Sequence, residues 1–366
     1  MSFPKLCSAL LILTALLVGG CAATGPKGPQ MRYLWPTPPD KPRIEFIKAY
    51  SYTSDLAVGG GSRLMEMALG EEKVGLFYMP AGVASSPDDS KLYVSMPNSA
   101  RVTVLDLAAG KSGVLGAPGD FNRPMGLWVD SRGVVYIADS GAKKVLRYNA
   151  LGDRMSPIER TDKLQSPAYV AVNEGLGRVY VSDSKLHKVV VFDMEGNFLF
   201  DFGEKGGGEG HFYVPQGIAI DKENRVFVCD LLNARVQVFD ADGAYLYNFG
   251  DRGDNIGNFD HPKSAAFDSD GNLHVVDTRL ARSQIMSPDG QLLLVLGTGG
   301  KSRHAMGFTN PVQIFISPSD RIYIIDNFLG RISVWQYLDE RYLAEHPVTE
   351  EQLEMIRQRL RALQAK

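Results

Sequence analysis

Four of the six histidines, His187, His211, His261 and His304, lie in segments rich in glycine, serine and aspartate. A neutral imidazole is a good zinc ligand, and three converging with a water in the fourth position would make a hydrolytic or lyase centre. Their spacing argues against convergence. His261 directly precedes Pro262, His211 stands four residues before Pro215, His187 four after Asp183 and His304 seven before Pro311, so they share no repeated position. The sequence therefore assigns no metal ligand and no cofactor, and these four remain the candidates to check. His274 and His346 read as structural or solvated. Gly59-Gly60-Gly61 and Gly206-Gly207-Gly208 are not phosphate loops, because neither leads into the Gly-Lys-Ser/Thr that grips phosphate oxygens. Cys229 ends the apolar run Val226-Phe227-Val228 and reads as a small buried hydrophobe, not a nucleophile.

The N-terminus carries a different chemistry. Lys5, the apolar run Leu10 to Val18, and then Gly19, Gly20 and Cys21 have the order of a secretory signal: a basic start, an apolar core and small residues at the cut. The run is shorter than the ~20 residues a spanning helix needs. Leu17-Val18-Gly19-Gly20-Cys21 resembles the lipobox of bacterial lipoproteins, with Val18 where leucine is commonest. That resemblance implies a signal peptide over 1–20 and a lipidated Cys21 as the first mature residue, and Ala22 favours the outer membrane and periplasm. Two or three acyl chains would anchor the protein stably, at ~0.8 kcal/mol per buried CH₂. Pro26, Pro29, Pro36, Pro38, Pro39 and Pro42 make residues 21–43 an extended tether.

What must position any site beyond the tether is a repeat. Aromatic residues three before a proline recur at Phe77/Pro80, Phe121/Pro124, Phe212/Pro215, Phe259/Pro262 and Phe308/Pro311, with Leu164/Pro167 as the sixth copy. Fifteen or sixteen residues after each proline stands Asp139, Asp183, Asp230, Asp277 or Asp326, with Met96 in the first copy. Five residues further on is always a base: Arg101, Lys144, Lys188, Arg235, Arg282 and Arg331. Within each copy, short β-branched and aromatic runs alternate with turns such as Asp130 to Gly133, Asp193 to Gly196 and Asp268 to Gly271. Four strands per copy, six times over, predict an all-β, six-bladed β-propeller of antiparallel blades over residues 44–340. The sixth copy lacks its own fourth strand, and Phe46 to Ser51 matches the missing one, so the N-terminal strand is expected to close the last blade and remove the open edges.

The pattern resembles the NHL repeat family, and the fourth copy carries it best: Phe212, Pro215, Gly217, Asp221, Asp230, Asn233, Arg235, Val236, Val238, Phe239, Asp240 and Gly243. The resemblance implies the propeller, but the family spans binding modules and a few enzymes. Peptidylglycine amidating lyases give a zinc precedent on an NHL-like propeller, while the acidic and amide ligands of the gluconolactonase type cannot be assembled here.

In such a blade the residues just after each proline and the recurring aspartates ring one face. The aspartates are expected to cap backbone N–H groups and pair with the base five residues on. Function is expected where the copies differ, which makes Met125, Tyr169, Gln216, Lys263 and Gln313 the candidate binding face. The insertion Ser51 to Leu76 is expected to form a lid or rim. Thr349-Glu350-Glu351-Gln352 is a capping box opening a short amphipathic helix over 348–366, with Leu353, Ile356, Leu360 and Leu363 on one face. A net charge of −3 gives no electrostatic case for nucleic acid. The reading favoured is a membrane-anchored module that binds a ligand or protein partner. The alternative is a metal-dependent lyase or hydrolase of the amidating lyase type.

Overall fold

The structure, a computed structural model, describes residues 31–56, 74–160, 162–297, 301–304 and 306–364. The expected signal peptide, Cys21, Gly59-Gly60-Gly61 and most of the 51–76 insertion lie outside these residues. Tyr33–Pro347 forms one compact unit, and the C-terminal helix belongs to another. Among the described residues no helix is long and apolar enough to cross a membrane.

The first unit is a six-bladed propeller of antiparallel strands. Blade one is built from Gly82–Ser85, Lys91–Met96, Arg101–Asp106 and Lys111–Val114. Blade three uses Pro167–Asn173, Arg178–Asp183, Lys188–Asp193 and Phe198–Phe202. Blade four uses Pro215–Ile220, Val226–Asp230, Arg235–Phe239 and Tyr245–Phe249. Blade five uses Pro262–Phe267, Leu273–Asp277, Arg282–Met286 and Leu292–Leu296. In each, the first strand is innermost and starts at or just after the repeat proline.

Alternation along the strands explains why blades stack. In blade four, Val226 and Val228 pack toward blade three with Tyr180 and Val191, while Phe227 and Cys229 pack toward blade five with Val275 and Leu273. Both faces of a middle strand are therefore buried, which is why these strands read as nearly continuous apolar runs. The repeated aromatic residue wedges between blades, and Phe212, Phe259 and Phe308 are almost fully buried. A Cβ on Gly250 would lie 2.4 Å from the Phe259 ring, and that glycine has φ +90°, so the outer-strand exit needs glycine both sterically and conformationally.

Ring closure occurs at blade six, where Pro311–Ile316, Arg321–Asp326 and Arg331–Tyr337 are followed by the N-terminal strand Ile44–Tyr50. Phe46 pairs with Trp335, and Tyr50 with Ile332. Two features depart from expectation. The tether expected to run to residue 43 ends earlier, because Tyr33–Trp35 form a fifth strand on blade six, pairing Leu34 with Glu45. Leu34 is buried and the Trp35 indole donates to the Val295 carbonyl at 2.7 Å, anchors that outweigh the prolines following them. Blade two has three regular strands, Pro124–Val129, Val135–Asp139 and Lys144–Tyr148. Its fourth is reduced to the bridges Val145↔Ile158 and Tyr148↔Arg154, across a segment where Pro157 offers no N–H to a ladder.

Tyr52 bridges Gly75 and Thr53–Leu56 form a 3-10 turn, so the described ends of the 51–76 insertion lie side by side. The C-terminal helix spans Glu350–Gln364, with Gln352 N–H donating to Thr349 Oγ1 and Thr349 N–H to Gln352 Oε1, a reciprocal capping box. A shorter helix, Glu340–Glu345, precedes it and is capped by Asp339.

Candidate functional site

The rim of the propeller is built by the recurring aspartates. Asp139 accepts the N–H groups of Asn122 and Arg123, ahead of the proline, and those of Gly141 and Ala142 in the loop after its own strand. Asp183 and Asp277 repeat this arrangement. Each carboxylate is buried and occupied by backbone, so it fixes the start of the inner strand instead of offering itself to a ligand. Among the described residues the expected pairing with the base five residues on forms in blade four alone, between Asp230 and Arg235 at 3.0 Å. Elsewhere the base reaches other partners, because backbone donors already fill the aspartate: Lys188 pairs with Asp201, and Arg282 and Arg331 hold carbonyls of the preceding connector. In blade one Met96 takes the aspartate position, and the Tyr78 N–H meets its sulfur at 3.4 Å.

Inside this rim the inner strands converge so closely that a Cβ on Gly82 would lie 2.4 Å from the Met125 carbonyl, and one on Gly217 2.6 Å from the Ser264 Cα. Where the copies carry larger side chains they line an axial well of about 270 Å³. The well gathers Met125, Tyr169, Gln216, Lys263 and Gln313. Their environments differ. Gln313 is buried and spent on structure: Oε1 accepts from Val83 N–H at 2.9 Å, and Nε2 donates to the Val83 carbonyl and the Tyr169 hydroxyl, clamping blade six to blade one. Tyr169 is also buried, and desolvation pushes its hydroxyl up to about 12. Gln216 donates through Nε2 to Ser184 Oγ and to the Pro215 carbonyl.

Lys263 is the exception among these polar groups. It lines the well with no hydrogen-bond or ion-pair partner among the described residues, and burial pulls its ammonium below the ordinary lysine range. Arg123, Asn98 and Asn327 lie at the mouth, and the described lining contains no carboxylate. These three were not singled out from sequence. Their signal was position alone, beside a repeat proline or after a second strand.

The inner strands end at an opposite mouth, a cavity of about 310 Å³ bordered by Asp130, Glu174, Asp268 and Asp320. Between the two openings lies an apolar waist with a void of about 90 Å³, where Trp128 and Phe315 meet edge to face at 6.3 Å and Tyr169 forms the boundary with the well. Only the turn chemistry of Asp130 and Asp268 was visible in sequence. A still larger concavity, about 830 Å³, is an open groove beside the irregular edge of blade two. Its Asp120 is already held by Tyr148, Arg154 and the Ala117 N–H.

The histidines are spread over separate partners. His187 Nδ1 accepts the Val214 N–H at 3.0 Å, and burial with nearby Lys205 lowers its pKa. His211 faces Glu204 at 3.1 Å, His261 faces Asp260 at 3.1 Å, and His304 is exposed. Buried His274 meets Asp268 at 2.9 Å, and the ring of His346 stacks on Tyr342. Among the described residues no three His, Cys, Asp or Glu side chains are grouped to hold a metal ion. Cys229 is fully buried, and burial pushes its thiol up, away from reactivity.

Comparison with known proteins agrees with this architecture. The NHL repeat matches residues 212–239, the copy with the clearest pattern. The peptidyl-glycine alpha-amidating monooxygenase of Mus musculus is 28% identical over 134 residues, 32% of this chain and 14% of that protein. The Rattus norvegicus protein is 27% identical over 157 residues, 39% of this chain and 15% of its own length. The chain thus spans about one seventh of these relatives. Among solved structures, virginiamycin B lyase from Staphylococcus aureus superposes with a TM-score of 0.54 at 13% identity, covering 71% of this chain and 95% of that one. A putative gluconolactonase gives 0.56 at 14% identity, covering 80% and 92%. Kuenenia stuttgartiensis hydrazine synthase gives 0.54 at 16%, covering 77% and 83%. At such identities the likeness is one of fold.

Proposed function

We propose that this NHL-repeat propeller is a binding module, held to a bacterial envelope membrane by lipid on Cys21, that takes a ligand or protein partner at its axial well. The carrying observation is Lys263, a half-buried cation without a partner among the described residues, in a well whose described lining has no carboxylate. Its ammonium is left unpaired where the copies diverge, which favours recognition over architecture. The anchor is supported by the small-residue run ending at Cys21, and the outer membrane by Ala22.

The test is recovery of the full-length lipoprotein from its own membranes with bound molecules crosslinked in place. A Lys263→Glu variant should lose the captured partner, and Glu174→Gln at the opposite mouth should keep it. Equal capture by both variants would overturn the assignment to the well. A second reading, a metal-dependent lyase or hydrolase, starts from the resemblance of the repeats to amidating lyases on an NHL-like propeller, beside the 134-residue similarity to the mouse peptidyl-glycine alpha-amidating monooxygenase. Stoichiometric zinc or calcium in purified protein would move the conclusion to that reading.

A further inference from the structure

We propose that the axial well recognises a monoanionic carboxylate, which pairs with the Lys263 ammonium while its organic body rests on Met125, Tyr169 and Val312. This inference rests on the well being the binding site and names the chemistry it selects.

Three observations lead to it. First, the well holds a positive charge that the protein leaves unmatched. Its described lining contains Lys263 and Arg123 and no acid, although the chain as a whole carries a net charge of −3. Lys263 lies among amide and apolar groups, and its pKa falls through desolvation with no compensating neighbour. In such surroundings an arriving anion gains more from one ammonium than it would in water. Second, the two glutamines near it already spend their amide donors within the protein. Gln313 has both ends of its amide engaged, and Gln216 uses its Nε2 on Ser184 and Pro215. The donors left open in the lining are those of Lys263 and, at the mouth, Arg123, Asn98 and Asn327, which fits a ligand that accepts. Third, size and charge limit the anion. About 270 Å³ admits a small organic acid or the last residue of a peptide, and Met125, Tyr169 and Val312 supply apolar wall. Inorganic phosphate would bring a second negative charge to a well in which Lys263 is the one half-buried cation, since Arg123 stands exposed at the rim.

The experiment uses the full-length protein in detergent, with lysines reductively ¹³C-methylated so that each keeps its charge, and Lys263→Met to assign the Lys263 resonance. Benzoate should shift that resonance saturably and raise its titration midpoint, because an anion favours the charged form. Benzamide, the neutral counterpart, should not. An N-acetylated tripeptide acid, set against its C-terminal amide, separates a peptide terminus from a free organic acid as the source of the carboxylate. Lys263→Met should weaken benzoate at least tenfold without lowering thermal stability, and Lys263→Gln gives the same reading should the methionine variant fold poorly. The proposal is overturned by equal response to acid and amide, by tighter binding of inorganic phosphate than of benzoate, or by affinity within twofold after Lys263→Met. Partner capture that survives Lys263→Met would overturn the carboxylate and leave the binding-module reading standing.

Discussion

The two ends of the propeller axis differ in how they partner their charges. At one end Asp130 accepts the N–H groups of Arg132 and Val134 and the Arg132 guanidinium, Glu174 accepts from Ser131, and Asp268 accepts from Asn272 and faces His274. Those carboxylates are consumed by the turns that leave the inner strands. At the other end the recurring aspartates are consumed in the same way, but Lys263 is not. A ring of charge is therefore weak evidence for a site, whereas one charge whose partner the fold does not supply is stronger evidence.

Opening the ring tests the comparison most harshly, since both mouths exist only while six inner strands share an axis. Deleting residues 43–50 removes the strand that pairs with Arg331–Tyr337. It should cost several kcal/mol and the single cooperative unfolding transition; unchanged thermal stability would mean the strand is dispensable. Next in size is Asp130→Ala, which leaves buried N–H groups unsatisfied and should cost about 2–4 kcal/mol in urea unfolding. A loss under about 0.5 kcal/mol would show that this carboxylate is as free as Lys263. Lys263→Met should leave stability unchanged or raise it by up to about 1 kcal/mol, and a clear loss would make the lysine structural.

The smallest effect is a pH step at His187. Its folded pKa lies below the unfolded value of about 6.5, so at intermediate pH the unfolded chain binds more protons and stability rises with pH. The contribution is present above about pH 6.5 and is lost as pH falls, because protonated Nδ1 can no longer accept the Val214 N–H. His187→Asn should flatten the difference in melting temperature between pH 5 and 7.5 relative to the parent. An identical slope would place the titration elsewhere. Separately, Cys21→Ser should leave the protein unprocessed or released from membranes, and acyl labelling that survives the change would remove Cys21 as the lipid site.

Much was legible in the chain. The repeated aromatic, proline, aspartate and base fixed blade number and register, because each does a local job that every copy needs: an inter-blade wedge, a strand start and a carboxylate cap. Closure by the Ile44–Tyr50 strand followed from counting strands. The alternation of Val226 to Cys229 could be read as strand, although not which neighbour each side chain meets. Local pattern misled at Tyr33–Trp35, where proline density after residue 35 hid a short strand pairing with Ile44–Phe46, and in blade two, where the count promised a regular fourth strand. What the tertiary structure decided was which polar groups are left over. Lys188, Arg235 and Arg282 share one repeat position yet reach an outer-strand carboxylate, an aspartate across the loop and backbone carbonyls respectively. Gln313 and Lys263 flank the same well, one with both ends of its amide engaged and one with no partner among the described residues. Periodicity is a property of neighbours along the chain and can be read from the sequence; satisfaction of a charge depends on groups tens or hundreds of residues away, which only the closed ring brings together.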